Sequence, residues 1–262
     1  MGIKAFIKYI NLLVIVLVLL TACGNKIKET KMDMKIPKYS QVTVLEKKQD
    51  KCDIFRAESE GLYKIGNFEN GIIDMSYNTN GSTVLLKSRS QGKNLTQNSI
   101  NIYKNDKMIT LDSFYSAADL KLSPSGDKLA FRCYKEDSLD SAEGLKVFDI
   151  NSRKMLTLKS KVLVSGTLYC WLDNNNIVYY GSTGEKSDSI KMYKYNFESN
   201  QEEVYLESIQ GYCTYMLPAG NGLVYLKEIG DGRELVYFDK SSGSSKVLSS
   251  NVESIYNAKF NL

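Results

Sequence analysis

Between Ala117 and Leu158 the apolar residues fall into four short runs, AADLKLS, LAFRCY, LKVFDI and MLTL. They are separated by Pro124-Ser125-Gly126, by a polar loop and by Asn151-Ser152. Short runs rich in Leu, Val, Phe and Tyr between turn residues predict strands, and four in succession predict one small antiparallel sheet. The unit recurs. Third runs begin at Ile100, Leu145, Ile190 and Leu235, each 45 residues after the one before, and second runs at Val84, Leu129, Ile177 and Leu223, 45, 48 and 46 apart. Insertions are thereby confined to loops. Asn80-Gly81, Ser125-Gly126, Asn174-Asn175-Asn176 and Asn221-Gly222 precede the second runs, where residues that tolerate positive φ close tight hairpins. Four strands repeating every 40–50 or so residues predict an all-β fold, a β-propeller, with full repeats at 72–111, 117–158, 167–206 and 211–248.

Three further runs, QVTVLE (41–46), DIFRAE (53–58) and GLYKIG (61–66), precede the first repeat, and one, ESIYNAKF (253–260), follows the last. Three and one make up one missing unit, and Ile54 lies 46 residues before Ile100, in phase with the third runs. The expectation is five four-stranded blades, the fifth closed by N-terminal strands 41–66 and C-terminal strand 253–260. Closure removes the unpaired edges that an open ring would expose. The competing arrangement is a six-bladed ring whose missing strands come from a second chain. The segment SPSGDKLAF (123–131) resembles the S-P-D-G-x-x-[IL]-x-[FY] repeat of TolB-like β-propellers, with Ser125 where that family usually has Asp. The resemblance implies a propeller and a role in protein interaction. Peptidases with such blades add a separate hydrolase domain, for which the repeats leave no stretch of this chain.

The chain opens MGIKAFIKYINLLVIVLVLLTACGN: Lys4 and Lys8, then eleven residues from Ile10 to Leu20 that are apolar but for Asn11, then Leu20-Thr21-Ala22-Cys23. Eleven residues are too few to span a bilayer as a helix, which takes about 20, so this reads as a signal segment. The last four residues resemble the bacterial lipobox. That resemblance implies a signal peptide over 1–22, removed after Cys23 receives its lipid, and a protein lipid-anchored on the outer side of the cell membrane. Two or more acyl chains hold a protein there stably. Residues 23–40, rich in Lys and Glu, read as a solvated tether reaching at most about 60 Å. Their lysines serve solubility or a weak attraction to anionic lipid. Residues 41–262 are then the propeller domain.

Composition narrows the chemistry. The 34 basic and 30 acidic side chains, two of the basic ones in the leader, are too evenly balanced for a nucleic-acid surface. There is no histidine, which removes Ser-His-Asp and Cys-His catalysis and histidine-ligated zinc, and no G-x-S-x-G or P-loop motif occurs. No cofactor or metal is expected. Cys52, Cys133, Cys170 and Cys213 show no ligand spacing and are expected as buried free thiols. Trp171 and the tyrosines are read as packing between blades, with an aromatic platform for sugar or peptide as the alternative.

Two groups of residues remain as site candidates. Asp74 (IIDMSY) and Asp119 (AADLKL) are 45 residues apart in first runs, which line the channel of a propeller. They either tie blades together, bind a cation or small ligand, or supply a carboxylate pair for glycoside chemistry, which requires a defined separation. The second group lies in loops between second and third runs, expected to be long and varied at 88–99, 134–144, 181–189 and 228–233. They carry Arg89, Lys93, Lys135, Asp137, Asp140, Asp188, Asp231 and Arg233. Loops on a rigid scaffold are where binding usually resides, so the leading expectation is a membrane-anchored binding or scaffold module. Its partner would be a cell-envelope protein or glycan and not a nucleic acid.

Overall fold

The computed structural model describes residues 43–253 apart from 49–50, 59–60, 70, 79–81, 106, 185–189 and 208. Five antiparallel sheets follow one another along the chain. Sheet A has three described strands, β1 (Thr43–Lys47), β2 (Lys51–Glu58) and β3 (Gly61–Glu69). Sheet B holds β4 (Ile72–Tyr77), β5 (Thr83–Gln91), β6 (Thr96–Lys104) and β7 (Lys107–Leu111). Sheet C holds β8 (Ser116–Leu122), β9 (Lys128–Tyr134), β10 (Ala142–Asp149) and β11 (Lys154–Leu156). Sheet D holds β12 (Leu163–Trp171), β13 (Asn176–Ser182), β14 (Lys191–Asn196) and β15 (Gln201–Leu206). Sheet E holds β16 (Tyr212–Ala219), β17 (Gly222–Ile229), β18 (Gly232–Asp239) and β19 (Ser244–Ser250). In sheets B to E the strand order is the chain order, and the first strands β4, β8, β12 and β16 adjoin one another in succession. The four full repeats lie where the period puts them. The closing strand expected at 253–260 lies, beyond Glu253, outside the described residues, so sheet A is seen with three strands.

The sheets stack face to face through apolar seams. At the B–C seam Val84, Leu86, Ile100 and Ile102 meet Leu129, Phe131, Cys133 and Phe148. At C–D, Ala130, Leu145 and Val147 meet Tyr169, Trp171, Tyr179 and Tyr195, and at D–E, Cys170, Val178, Tyr180 and Met192 meet Met216, Leu223, Tyr225 and Phe238. The consecutive residues Leu129 to Phe131 of β9 and Ile177 to Tyr180 of β13 thus go to opposite neighbours and are all apolar, because a sheet covered on both faces has no solvent side. Trp171 is buried here, as are Cys52, Cys133, Cys170 and Cys213, whose sulfurs are not joined in disulfides. Burial pushes the thiols of Cys133, Cys170 and Cys213 up to about 12, so they stay protonated and serve as packing groups.

Direction of packing corrects one equivalence drawn from spacing. Val84 points forward to sheet C, whereas Leu129, 45 residues on, points back to sheet B; the residue pointing forward from β9 is Ala130. The hairpin bonds agree, Asn78 N to Ser82 O in sheet B matching Ser123 N to Lys128 O in sheet C. The first hairpin of sheet B is one residue shorter. Since side chains alternate along a strand, that single residue reverses the facing of β5 against the 45-residue count. The second connection of sheet B is one residue longer, Leu86 pairing with Ile100 where Arg132 pairs with Leu145, so the count holds again from β6 onward, Ile100 and Leu145 both pointing forward.

Loops were expected longer than they are. β5 runs on to Gln91 and β6 starts at Thr96, leaving 92–95; the connection in sheet E is the two-residue turn Gly230-Asp231. Residues 135–141 form a true loop, ending in a 3-10 turn at Leu139–Ser141.

One buried side chain locks sheet B to the next. Asn98 Nδ2 donates to Ser116 Oγ (3.1 Å) and Ala117 O (3.0 Å), and Asn98 Oδ1 accepts from Ala117 N (2.7 Å). Removing it leaves buried partners unsatisfied at about 1–3 kcal/mol each before relaxation. We expect Asn98→Ala to lose about 2–3 kcal/mol in urea unfolding with an unchanged m-value.

Candidate functional site

Along the first strands, side chains of one sheet bond to the backbone of the next. Asp74 Oδ1 accepts from Met75 N (2.7 Å) and Oδ2 from Leu120 N (3.4 Å), and Ser76 Oγ accepts from Leu122 N (3.1 Å). One seam on, Lys121 Nζ donates to the carbonyls of Thr167 (2.8 Å) and Tyr169 (2.6 Å) and sits 4.4 Å from the centre of the Tyr169 ring. Tyr169 OH and Trp171 Nε1 donate in return to the carbonyls of Asp119 and Lys121. Burial holds Asp74 above the usual carboxylate range, against the pull of its two backbone amides, with a smaller upward push from Asp119. Burial likewise lowers Lys121, which sits in a seam with carbonyl partners.

Asp74 and Asp119 are not equivalent, although 45 residues separate them. Both first strands carry a β-bulge, but at different points: between Ile72 and Asp74 in β4, and between Ala118 and Lys121 in β8. Asp74 is therefore a regular ladder residue opposite Leu86, while Asp119 lies inside its bulge at φ 61°. Its carboxylate turns to Arg132, with 3.6 Å between Oδ2 and Nη1. Bulges re-aim side chains in this way. With both Asp74 oxygens on backbone amides and Asp119 on Arg132, the pair acts as ties between and within sheets.

The loops between second and third strands share one side of the stack with the connections between sheets, and there Asp137 is the organiser. Its carboxylate accepts from the backbone N–H groups of Lys93 (2.5 Å), Asn94 (2.9 Å) and Leu95 (2.6 Å), so the loop of sheet C grips that of sheet B. Three successive amides converge because Gly92 turns the chain tightly; a Cβ there would collide with the Tyr115 hydroxyl, the Leu95 carbonyl and Asp137 itself. Lys135 pairs with Glu143 at 3.4 Å. Arg233 pairs with Glu228 (2.8 Å) and donates to the Glu253 carbonyl (2.7 Å), fixing where the chain leaves sheet E. Arg89, Asp140 and Asp231 are exposed, and Asp188 and Cys23 lie outside the described residues. Of the described candidates, Lys93, Lys135, Asp137, Asp140 and Asp231 lie in connections between second and third strands, while Arg89 lies within β5 and Arg233 within β18. Sequence reasoning missed Asn98, which ties sheet B to sheet C, and Lys121 and Tyr169, which tie sheet C to sheet D; the visible signals were the asparagine that opens the run NSINIY and the lysine within AADLKLS.

No family model matches this chain, and no curated protein matches it in sequence. Solved structures do match. An uncharacterized protein of Listeria monocytogenes superposes with a TM-score of 0.54 at 13% identity, over 81% of this chain and 62% of that one. A putative TolB of Agrobacterium tumefaciens gives 0.53 at 12% identity, over 82% of each chain. The β-propeller domain of the Trilobed protease of Pyrococcus furiosus, described as having an open velcro topology, gives 0.51 at 16% identity, over 79% and 60%. The chain spans about three fifths of the Listeria and Pyrococcus proteins. Its fold is that of a TolB-like β-propeller.

The Asp137 clasp has a pH signature. Burial raises the carboxyl, but the amides of Leu95, Asn94 and Lys93 and the Lys93 charge outweigh it, and the result lies below the usual range. A carboxyl depressed by folding stabilises above its unfolded value, about 3.9, and loses that contribution as pH falls through the folded value. We expect the Lys93, Asn94 and Leu95 amide resonances to shift together in NMR as Asp137 protonates. In Asp137→Asn they should already be displaced at neutral pH.

Proposed function

We propose that this chain is a membrane-anchored, extracytoplasmic binding or scaffold protein that engages a cell-envelope protein or glycan through the loop face of its propeller. The observation that carries the reading is the clasped loop face. Mixed charges stand exposed on that side: Arg89 near the end of β5, Asp140 on the loop whose Asp137 grips residues 93–95, and Asp231 in the tight turn of sheet E. Exposed polar groups on a rigid base are suited to recognition. The lipobox resemblance at Leu20 to Cys23 supports anchoring. A non-catalytic role fits a chain without histidine whose Asp74 and Asp119 are engaged by backbone amides and Arg132. Carboxylate-based glycoside chemistry has no such support.

Intact-mass analysis of membrane-extracted protein should find Cys23 as an acylated mature N-terminus, and Cys23→Ala should accumulate as precursor or leave the membrane. With the partner bound, hydrogen exchange should slow at 92–95 and 135–141. Protection confined to the turns at 123–127 and 172–175 on the opposite face would refute the loop-face reading.

The ring, in this proposal, closes at five blades, the segment after Glu253 adding the innermost strand to sheet A. The forward face of sheet E supports closure. Cys170, Val178, Tyr180, Met192 and Tyr205, which face forward from sheet D, have as their sheet E counterparts Leu217, Val224, Leu226, Leu235 and Leu248, all apolar. Tyr205 is 4% exposed in its seam and Leu248 is 50% exposed. A face built like a seam calls for another sheet. Arg233 holds Glu253 on the side where the other first strands begin, and nine residues remain, about a strand's length. Deleting 254–262 should sharply lower soluble yield and melting temperature. A truncated monomer that melts as the full mature chain does would refute closure, and a concentration-dependent dimer of the full mature chain would favour strands from a second copy.

A further inference from the structure

Between sheets A and B lies a cleft of about 460 Å³, walled by Phe68, Ile72, Leu85, Tyr103 and Met108 and edged by Asn67, Lys87 and Asn101. Its cause can be read by comparing seams. The mid-strand residue that points back to the preceding sheet is Phe131 in β9, Tyr179 in β13 and Tyr225 in β17, 1%, 0% and 3% exposed. The ladders align these with Leu85 in β5: their third-strand partners are Lys146, Tyr193 and Val236, and that of Leu85 is Asn101. Sheet B alone of the four therefore lacks an aromatic ring at this position. At the B–C seam Phe114 packs on Phe131, centroids 5.8 Å apart. At A–B, Phe68 lies against Tyr103 instead, at 5.1 Å and 62°, Leu85 is 2% exposed at the floor, and the cleft opens beside them toward Ile72 and Met108.

We propose that this cleft is a binding site for a small aromatic molecule bearing one hydrogen-bonding group. The ring would lie in the cleft with Leu85 and Ile72 beneath it and the Phe68 and Tyr103 rings and the Met108 thioether as walls. Rings favour edge-to-face and offset contacts, and a thioether sulfur favours a ring edge. The amides of Asn67 and Asn101 and the Lys87 ammonium at the rim are suited to a hydroxyl or carboxylate. A volume of a few hundred Å³, apolar walls and few polar groups are the usual properties of a small-molecule site. A seam is a place where binding would also be felt mechanically, since the ligand would join two blades.

The test uses the full mature domain with phenol and benzoate as probes and cyclohexanol as the ring-free control. Phenol should shift the methyl resonances of Leu85 and Met108 in a saturable manner, and cyclohexanol should bind more weakly. Leu85→Phe supplies the missing ring from within. It should weaken phenol binding by about tenfold or more and raise the melting temperature by a few degrees, roughly as expected for filling a cavity. Met108→Glu, at the exposed mouth, should weaken binding without unfolding the domain, and keeps the test valid if Leu85→Phe is insoluble. Absence of methyl shifts with either probe would overturn the proposal, as would phenol binding that both variants leave unchanged. Binding that appears only in the Tyr256→Ala, Phe260→Ala double variant would assign the cleft to the chain's own aromatic residues and overturn it equally.

Discussion

The structure depends on the seam, the apolar layer between one sheet and the next. A blade of four strands cannot bury both faces by itself; each finds its cover only in its neighbours, so the stability of any sheet belongs to two seams. This accounts for the unbroken apolar runs Leu129 to Phe131 in β9 and Ile177 to Tyr180 in β13, and for tyrosines and thiols in positions that a two-layer sandwich would give to solvent. The polar ties, Asn98, Asp74, Lys121 and Trp171, do not drive association. They satisfy buried backbone groups where sheets adjoin, and so select one alignment from the many that a purely apolar layer would tolerate.

The seams are unequal, and the inequality is informative. B–C, C–D and D–E each have a continuous apolar cluster. The back of sheet B is more polar, carrying Thr83, Lys87, Ser99 and Asn101 around Leu85 and Tyr103, and encloses the cleft against sheet A. Sheet A also carries the buried Asp53 with Lys48 (2.6 Å) and Lys64 (2.5 Å).

Function in such a fold is carried by what stands on the scaffold. Asp137 is an example: a residue that by type and position read as a free binding group is consumed in gripping the neighbouring loop. The same holds for Arg233, which spends its donors on Glu228 and the chain's exit at Glu253. What is left exposed around them is a smaller set of polar groups than the sequence offered, on a firmer base.

The 45-residue recurrence was readable without a structure, and with it the all-β class, the four full repeats and the buried thiols, because strands with turns at a fixed period leave an arithmetic trace. The resemblance of SPSGDKLAF to TolB-like repeats pointed to the same fold that the superpositions define. Facing was not readable. One residue fewer in the first hairpin of sheet B and a bulge displaced along β8 reverse or re-aim side chains, so Val84 answers to Ala130 and Asp119 is no counterpart of Asp74. Period survives such changes because it counts residues. Which neighbour a side chain meets depends on parity, and parity is decided only when the ladders form and the sheets pack.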